Sequence, residues 1–381
     1  MLNYQLITQD GQLQTLCEQA RQFPRIALDT EFVRTRTYYP QLGLIQLFDG
    51  VNLSLIDPLA ITDWQPFIDL LADSAVVKIL HACSEDLEVF LHAFSQLPVP
   101  MIDTQVLAAF TGKPLSRGFA AMVLEYHQVA LDKSESRTDW LARPLSEKQC
   151  SYAAADVYWL LPMAEKLLAE TEQAGWMTAA RQECDAICLR RQDTVSPELA
   201  YRDITHAWQL RTRQLACLQK LAAWRLRKAR ERDMAVNFVV REENLWQVAR
   251  FMPGSLAELD KLGLSGPEIR YHGNTLVALV QEAEALADDA LPEPVLNLVD
   301  HTGYRQVFKR IKEQIALVSQ QTGLSVELLA SRRQINQLLS NHWGLTEAAR
   351  EPELVSGWRG ALMGDMLTGL LQGAVKTPEQ Q

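Results

Sequence analysis

The stretch ALDTEF, residues 27–32, decides how the rest of the chain is read. It follows FPRI and precedes VRTRTYYPQLGLIQL, so it sits at the end of an apolar strand. Successive side chains of a strand alternate between faces, and residues two apart share one. Asp29 and Glu31 therefore point the same way at the edge of a buried sheet. Like charges held that close are costly unless they are protonated or bridged by a cation. Something elsewhere in the chain has to relieve that cost.

The chain has 381 residues, 48% hydrophobic and 22% charged, which fits a globular protein of two or three domains. Its N-terminal segment MLNYQLITQDGQLQ is polar and amphipathic, unlike a signal peptide, and no run approaches the roughly 18 apolar residues of a membrane span. The six cysteines (17, 83, 150, 184, 188 and 217) show no paired spacing, and Cys184-x3-Cys188 lacks a second ligand pair. They read as reduced thiols of a cytoplasmic protein. The net charge of −10 hides a banded distribution. Residues 1–200 carry 15 basic and 26 acidic side chains, whereas residues 201–250 carry 11 and 5. An acidic average thus does not exclude a polyanionic partner, provided the basic band forms a face.

Working outward, RIALDTEF, LGLIQLF, LSLIDP and AVVKIL read as strands, and SEDLEVFLHAF carries Leu87, Phe90, Leu91 and Phe94 at helical spacing. Strands close together, then alternating with helices, predict an α/β layer with a mixed sheet. Strand signals stop near residue 206, and helices follow, separated by MPGS, LGLSGPE and YHGNT. The segments RRQDTVSPELAYRDI and ADDALPEPVLNL read as linkers. The expected organisation is an α/β domain over 1–200 and two small helical modules over 206–290 and 296–373.

Two further segments supply carboxylates. KILHACSEDLEVF puts Asp86 in the first turns of a helix after a buried strand, where α/β sheets commonly carry chemistry. RPLSEKQCSYAAADVYWLLPMAEKLL reads as a long helix with Ser146 and Gln149 at capping-box spacing. Tyr152 and Asp156 lie four apart on one of its faces, close to Ala155, Trp159 and Met163. Asp29, Glu31, Asp86 and Asp156, without a dedicated Lys or Arg, suit hard divalent cations with oxygen ligands, Mg²⁺ or Mn²⁺. Two such ions, typically about 3.5–4 Å apart, clamp the attacking and leaving oxygens of a phosphodiester displacement. Tyr152 is placed to orient the attacking water or help deprotonate it.

LDTEF, HACSEDL and YAAADV resemble the three motifs of the DEDDy group of 3′→5′ exonucleases, and LDKSESRTDWLARPLSEKQCSYAAADV is similar to the ribonuclease D family in particular. The resemblance covers roughly residues 1–200. It implies an RNase H-like fold, with Asp29, Glu31, Asp86 and Asp156 holding two metals and Tyr152 positioning the nucleophile. It also implies release of 5′-mononucleotides from the 3′ ends of tRNA precursors and other small structured RNAs. Residues 210–290 are similar to HRDC domains, and 296–373 resemble a second, degenerate one containing LLASRRQINQLLS.

Basic residues are candidates for the RNA backbone. Lys133, Arg137 and Arg143 flank the acidic cluster in sequence, and Arg225, Lys228 and Arg232 lie together at the edge of the apolar stripe of TRQLACLQKLAAWRLRKARERD. For both sets, ordinary solvated charge is the competing reading. His81 is expected to make a local hydrogen bond; Asp103, at a strand-to-helix junction in MIDTQVL, and Gln46, on the strand GLIQL, are further candidates for positions near the substrate. A monomer without a membrane or obligate protein partner is expected. Two alternatives stay open at this point: a DNA exonuclease, and a catalytically silent RNA-binding protein on the same fold. The intact set of carboxylates and tyrosine argues against the second.

Overall fold

ALDTEF lies within a nine-residue strand inside a six-stranded sheet. The computed structural model describes residues 2–345 and 351–374. The chain forms β1 (Gln5–Ile7), α1 (Asp10–Ala20), β2 (Arg25–Val33), β3 (Gln41–Phe48), β4 (Leu53–Ile56), α2 (Gln65–Ala72), β5 (Val77–Leu80), α3 (Ser84–Phe94) and β6 (Met101–Asp103). Helices α4 (Thr104–Phe110), α5 (Phe119–His127), α6 (Glu147–Gln173) and α7 (Met177–Gln192) follow. The sheet order is β1-β4-β3-β2-β5-β6; β2 runs antiparallel to β3 and parallel to β5. The expected mixed α/β layer is therefore present, with β6 at the strand-to-helix junction read in MIDTQVL and the short strand β1 beyond those read from sequence. At three residues, β1 is too short to show an alternating pattern.

Local chemistry explains how the site's elements are held. Ser146 and Gln149 close the predicted capping box of α6, with Gln149 N donating to Ser146 Oγ at 3.1 Å and Ser146 N donating to Gln149 Oε1 at 3.0 Å. Helix α6 packs along β2, β3 and β4. The β2–β3 register shifts between Glu31 and Phe32. On β3, a Cβ on Gly43 would stand 2.7 Å from the Trp140 carbonyl, so only glycine lets this loop backbone approach the strand.

Two compact units result. Arg34–Pro40 and Asp193–Asn297 form one, built on α8 (Thr212–Glu231), α9 (Val236–Val239), α10 (Glu242–Phe251), α11 (Leu256–Lys261) and α12 (Gly266–Glu284) around Leu215, Leu218, Leu221, Leu245, Val248 and Leu276. The other joins the α/β layer to α13 (Tyr304–Thr322), α14 (Val326–Leu329), α15 (Arg332–His342), α16 (Gly357–Arg359) and α17 (Asp365–Ala374). The crossings after Gln192 and Asn297 fall within the two segments read as linkers, whereas those after Val33 and Pro40 fall in neither. The C-terminal helices, however, share one core with the α/β layer instead of standing apart. Glu183 of α7 accepts from Arg359 Nη1 at 2.5 Å and Trp358 Nε1 at 3.1 Å, and Arg359 also donates to the Leu328 and Leu329 carbonyls at 2.8 and 3.0 Å. The Trp358 ring meets Phe110 at 5.0 Å. A linker-like composition cannot reveal this, because the joining interaction pairs charges 176 residues apart.

Candidate active site

The face of β2 opposite Thr30 carries Asp29 and Glu31 toward α6, and α6 returns Asp156 to them. One carboxylate oxygen from each of Asp29, Glu31 and Asp156 can lie within 4.8 Å of the others. Asp86 approaches from the first turn of α3, where it accepts from Thr30 Oγ1 at 2.5 Å. The turn carrying α3 is fixed from β6: Asp103 accepts from Ala82 N and Cys83 N, both at 3.0 Å, and from Gln105 N at 2.7 Å as the cap of α4. Ala82 takes φ of 53° to make that turn.

Burial and mutual repulsion dominate the electrostatics. Burial, then the Asp156 charge, holds Asp29 well above the usual carboxylate range. Glu31 is pushed up to about 10 by burial and the charges of Asp29, Asp156 and Asp86. Burial pushes Asp156 up to about 7 against the opposing hydrogen bond from Tyr152. Asp86 is raised by burial and Asp29, partly offset by Thr30. The Tyr152 hydroxyl, bonded to Asp156, is driven far above its ordinary range by burial and by the charges of Asp156, Glu31 and Asp29. The Tyr152 ring lies 6.1 Å from that of Trp140, which is fully buried.

An all-oxygen set of crowded carboxylates, raised by burial and by one another, fits hard divalent cations, whose charge would offset the repulsion. A cavity of about 220 Å³ opens beside it, lined by Asp29, His81, Phe119, Lys133, Tyr152 and Asp156. His81 sits at its wall with Nδ1 2.9 Å from Thr104 Oγ1, and burial holds its pKa below the ordinary value.

The basic candidates separate. Lys133 lines the cavity, whereas Arg137 is exposed outside that lining. Arg143 is not available to a phosphate: its guanidinium bridges Asp57 at 2.7 and 2.8 Å and donates to the carbonyls of Gly43 and Trp140 at 2.7 and 2.8 Å. It fastens the loop before α6 to the sheet. Arg225 is likewise a correction. It is only 6% exposed and donates to the Val240 carbonyl at 3.2 Å, beside Glu242 at 3.8 Å, so it closes the end of α9. A helical wheel places it at the stripe's edge but does not show that α9 covers that edge. Lys228 is half-buried and pairs with Glu231 at 3.2 Å, and Arg232 is exposed. Sequence reading missed Phe238 and Tyr271, 57% and 71% exposed around a 580 Å³ cleft in the second unit. Tyr271 stands in YHGNT, which reads in sequence as a break between helices; the segment instead lies inside α12.

Among known proteins, a family model described as 3′-5′ exonuclease matches residues 4–172. An HRDC domain model matches 214–280, and one described as ribonuclease D, C-terminal HRDC domain, matches 302–367. A ribonuclease D of Serratia proteamaculans is 69% identical over 98% of this chain and 100% of its own length. That of Escherichia coli is 67% identical over 97% and 99%. The crystal structure of Escherichia coli RNase D, described as an exoribonuclease involved in structured RNA processing, superposes with a TM-score of 0.96 at 67% identity, covering 98% of this chain and 99% of that one.

Proposed function

The chain belongs to the ribonuclease D family of 3′→5′ exoribonucleases, and from that premise we propose that it trims the 3′ ends of tRNA precursors and other small structured RNAs by a two-metal mechanism. Membership sets aside the catalytically silent alternative. The observation that carries the mechanistic reading is the convergence of Asp29, Glu31 and Asp156, with Asp86 adjacent, in one cluster. These four would hold Mg²⁺ or Mn²⁺ ions, which supply activation of water and neutralisation of charge on the leaving 3′ oxygen.

The chain's own residues do the positioning. Asp29 and Glu31 are each paired to β3, just past the point where β2 leaves β5, Asp86 is aimed by Thr30, and Asp156 is steadied by Tyr152. The Tyr152 hydroxyl, hydrogen-bonded to Asp156 and lining the cavity, is placed to orient the attacking water. Lys133, at the cavity wall, suits a backbone phosphate of the bound 3′ end. Half-buried Lys228 and exposed Arg232 suit sequence-independent backbone contact. We place the enzyme in the cytoplasm as a monomer, with its six cysteines free and buried. None of the described helices is long and apolar enough to cross a membrane.

Analysis of the products tests the reading. Digestion of a tRNA precursor in Mg²⁺ should release 5′-mononucleotides, and chelation should stop it. Release of 3′-phosphorylated products, or digestion in excess chelator, would overturn it.

A further inference from the structure

Gln46 lies in the middle of β3, directly opposite Asp29 in the antiparallel β2–β3 register. Directly opposite residues of such a pair share a face, with Cβ atoms about 4.5–5.5 Å apart. That face is the one α6 covers, since Asp156 of α6 meets Asp29 there. Gln46 is completely buried, yet neither Nε2 nor Oε1 has a hydrogen-bond partner among the described residues. A primary amide offers two donors and one acceptor oxygen, and burying all of it unpaired is unfavourable. Such groups are few in folded proteins, and each one calls for a reason. Apolar neighbours give none: Leu44 and Phe48, on the same face of the same strand, are ordinary core.

We infer that Gln46 is a positioning residue for the metal-ligating carboxylate of Asp29, its amide held in reserve to donate to the Asp29 oxygen turned away from the cation. The inference rests on the two-metal reading above. A glutamine side chain spans the distance to the facing residue by rotation about its own torsions, so no backbone movement is needed. Ligating carboxylates are commonly held by an outer hydrogen bond, and loss of such a partner typically weakens metal binding about 10–100-fold. The cost of the unpaired amide thus falls on the metal-free protein, and the benefit falls on the loaded one.

The test is calorimetric titration of Mn²⁺ into the full chain without RNA, for wild type, Gln46→Met and Gln46→Leu, with thermal melts of each in chelator. Methionine keeps the length and removes every strong hydrogen bond; leucine gives an independent apolar replacement. Mn²⁺ dissociation constants should rise about 10–100-fold in both variants, with metal-free melting temperatures equal to or above wild type. Unchanged Mn²⁺ affinity in a variant that folds would overturn the inference, whatever the melting temperature, and leave the two-metal reading intact. Affinity and melting temperature falling together in both variants would also overturn it, by showing a purely structural role. A wild type that binds no Mn²⁺ would remove the two-metal reading and this inference with it.

Discussion

Replacing Asp156 with asparagine should stabilise the metal-free protein while abolishing cleavage. The carboxyl is pushed from its ordinary 3.8 up to about 7, chiefly by burial. That difference, about three pH units at about 1.36 kcal/mol each, sets a ceiling of about 4 kcal/mol. Asp156 is half-buried, so water screens part of this, and about 2 kcal/mol is a reasonable discount. The sign follows from linkage. With the folded value above the unfolded one, the native state binds more protons between about pH 4 and 7, so stability falls as pH rises through that window. An amide in place of the carboxylate carries no such penalty. The variant's advantage should therefore be smaller at pH 5 and reach about 3–4 °C in melting temperature at pH 8. Melts in chelator at both pH values, beside cleavage of a 5′-labelled RNA in Mg²⁺, measure both effects. A variant melting at or below wild type at pH 8, or a gap that does not widen with pH, would refute the reasoning that the cluster is strained without cations.

Other residues give separate expectations. Arg143→Ala should cost about 3 kcal/mol, by stranding buried Asp57, yet leave the salt dependence of RNA binding unchanged; filter binding over a salt series checks the second part. Lys228→Gln with Arg232→Gln should reduce the slope of log K against log salt by about 2, whereas Arg225→Ala should lower the melting temperature and leave that slope alone. Glu183→Ala should cost about 3–5 kcal/mol in the first unit by leaving Arg359 buried and unpaired, read by denaturant titration.

The acidic motif was legible because period-two alternation and helical i, i+4 spacing are local rules, and they placed Asp29 beside Glu31 and Tyr152 beside Asp156. Asp86 was found as a position, but its anchor on Thr30 spans 56 residues and has no local signal. The same limit explains Arg143 and Arg225. Each reads as a free cation because its partners, Asp57 and the end of α9, are brought to it only by tertiary folding. Asp103 was visible as a strand-to-helix junction, while its grip on the Ala82–Cys83 turn was not. Strand β1 was illegible because three residues carry no period. The joining of the C-terminal helices to the α/β core was illegible because it rests on contacts distant in sequence.

The central claim is that the crowded carboxylates work as a cation-dependent 3′ exonuclease centre. The most direct measurement follows a 5′-labelled tRNA bearing extra 3′ nucleotides with wild type in Mg²⁺, wild type in chelator, and Asp29→Asn in Mg²⁺. A ladder shortening stepwise from the 3′ end is predicted in the first reaction alone. Shortening that persists in chelator, or in Asp29→Asn, would contradict the claim.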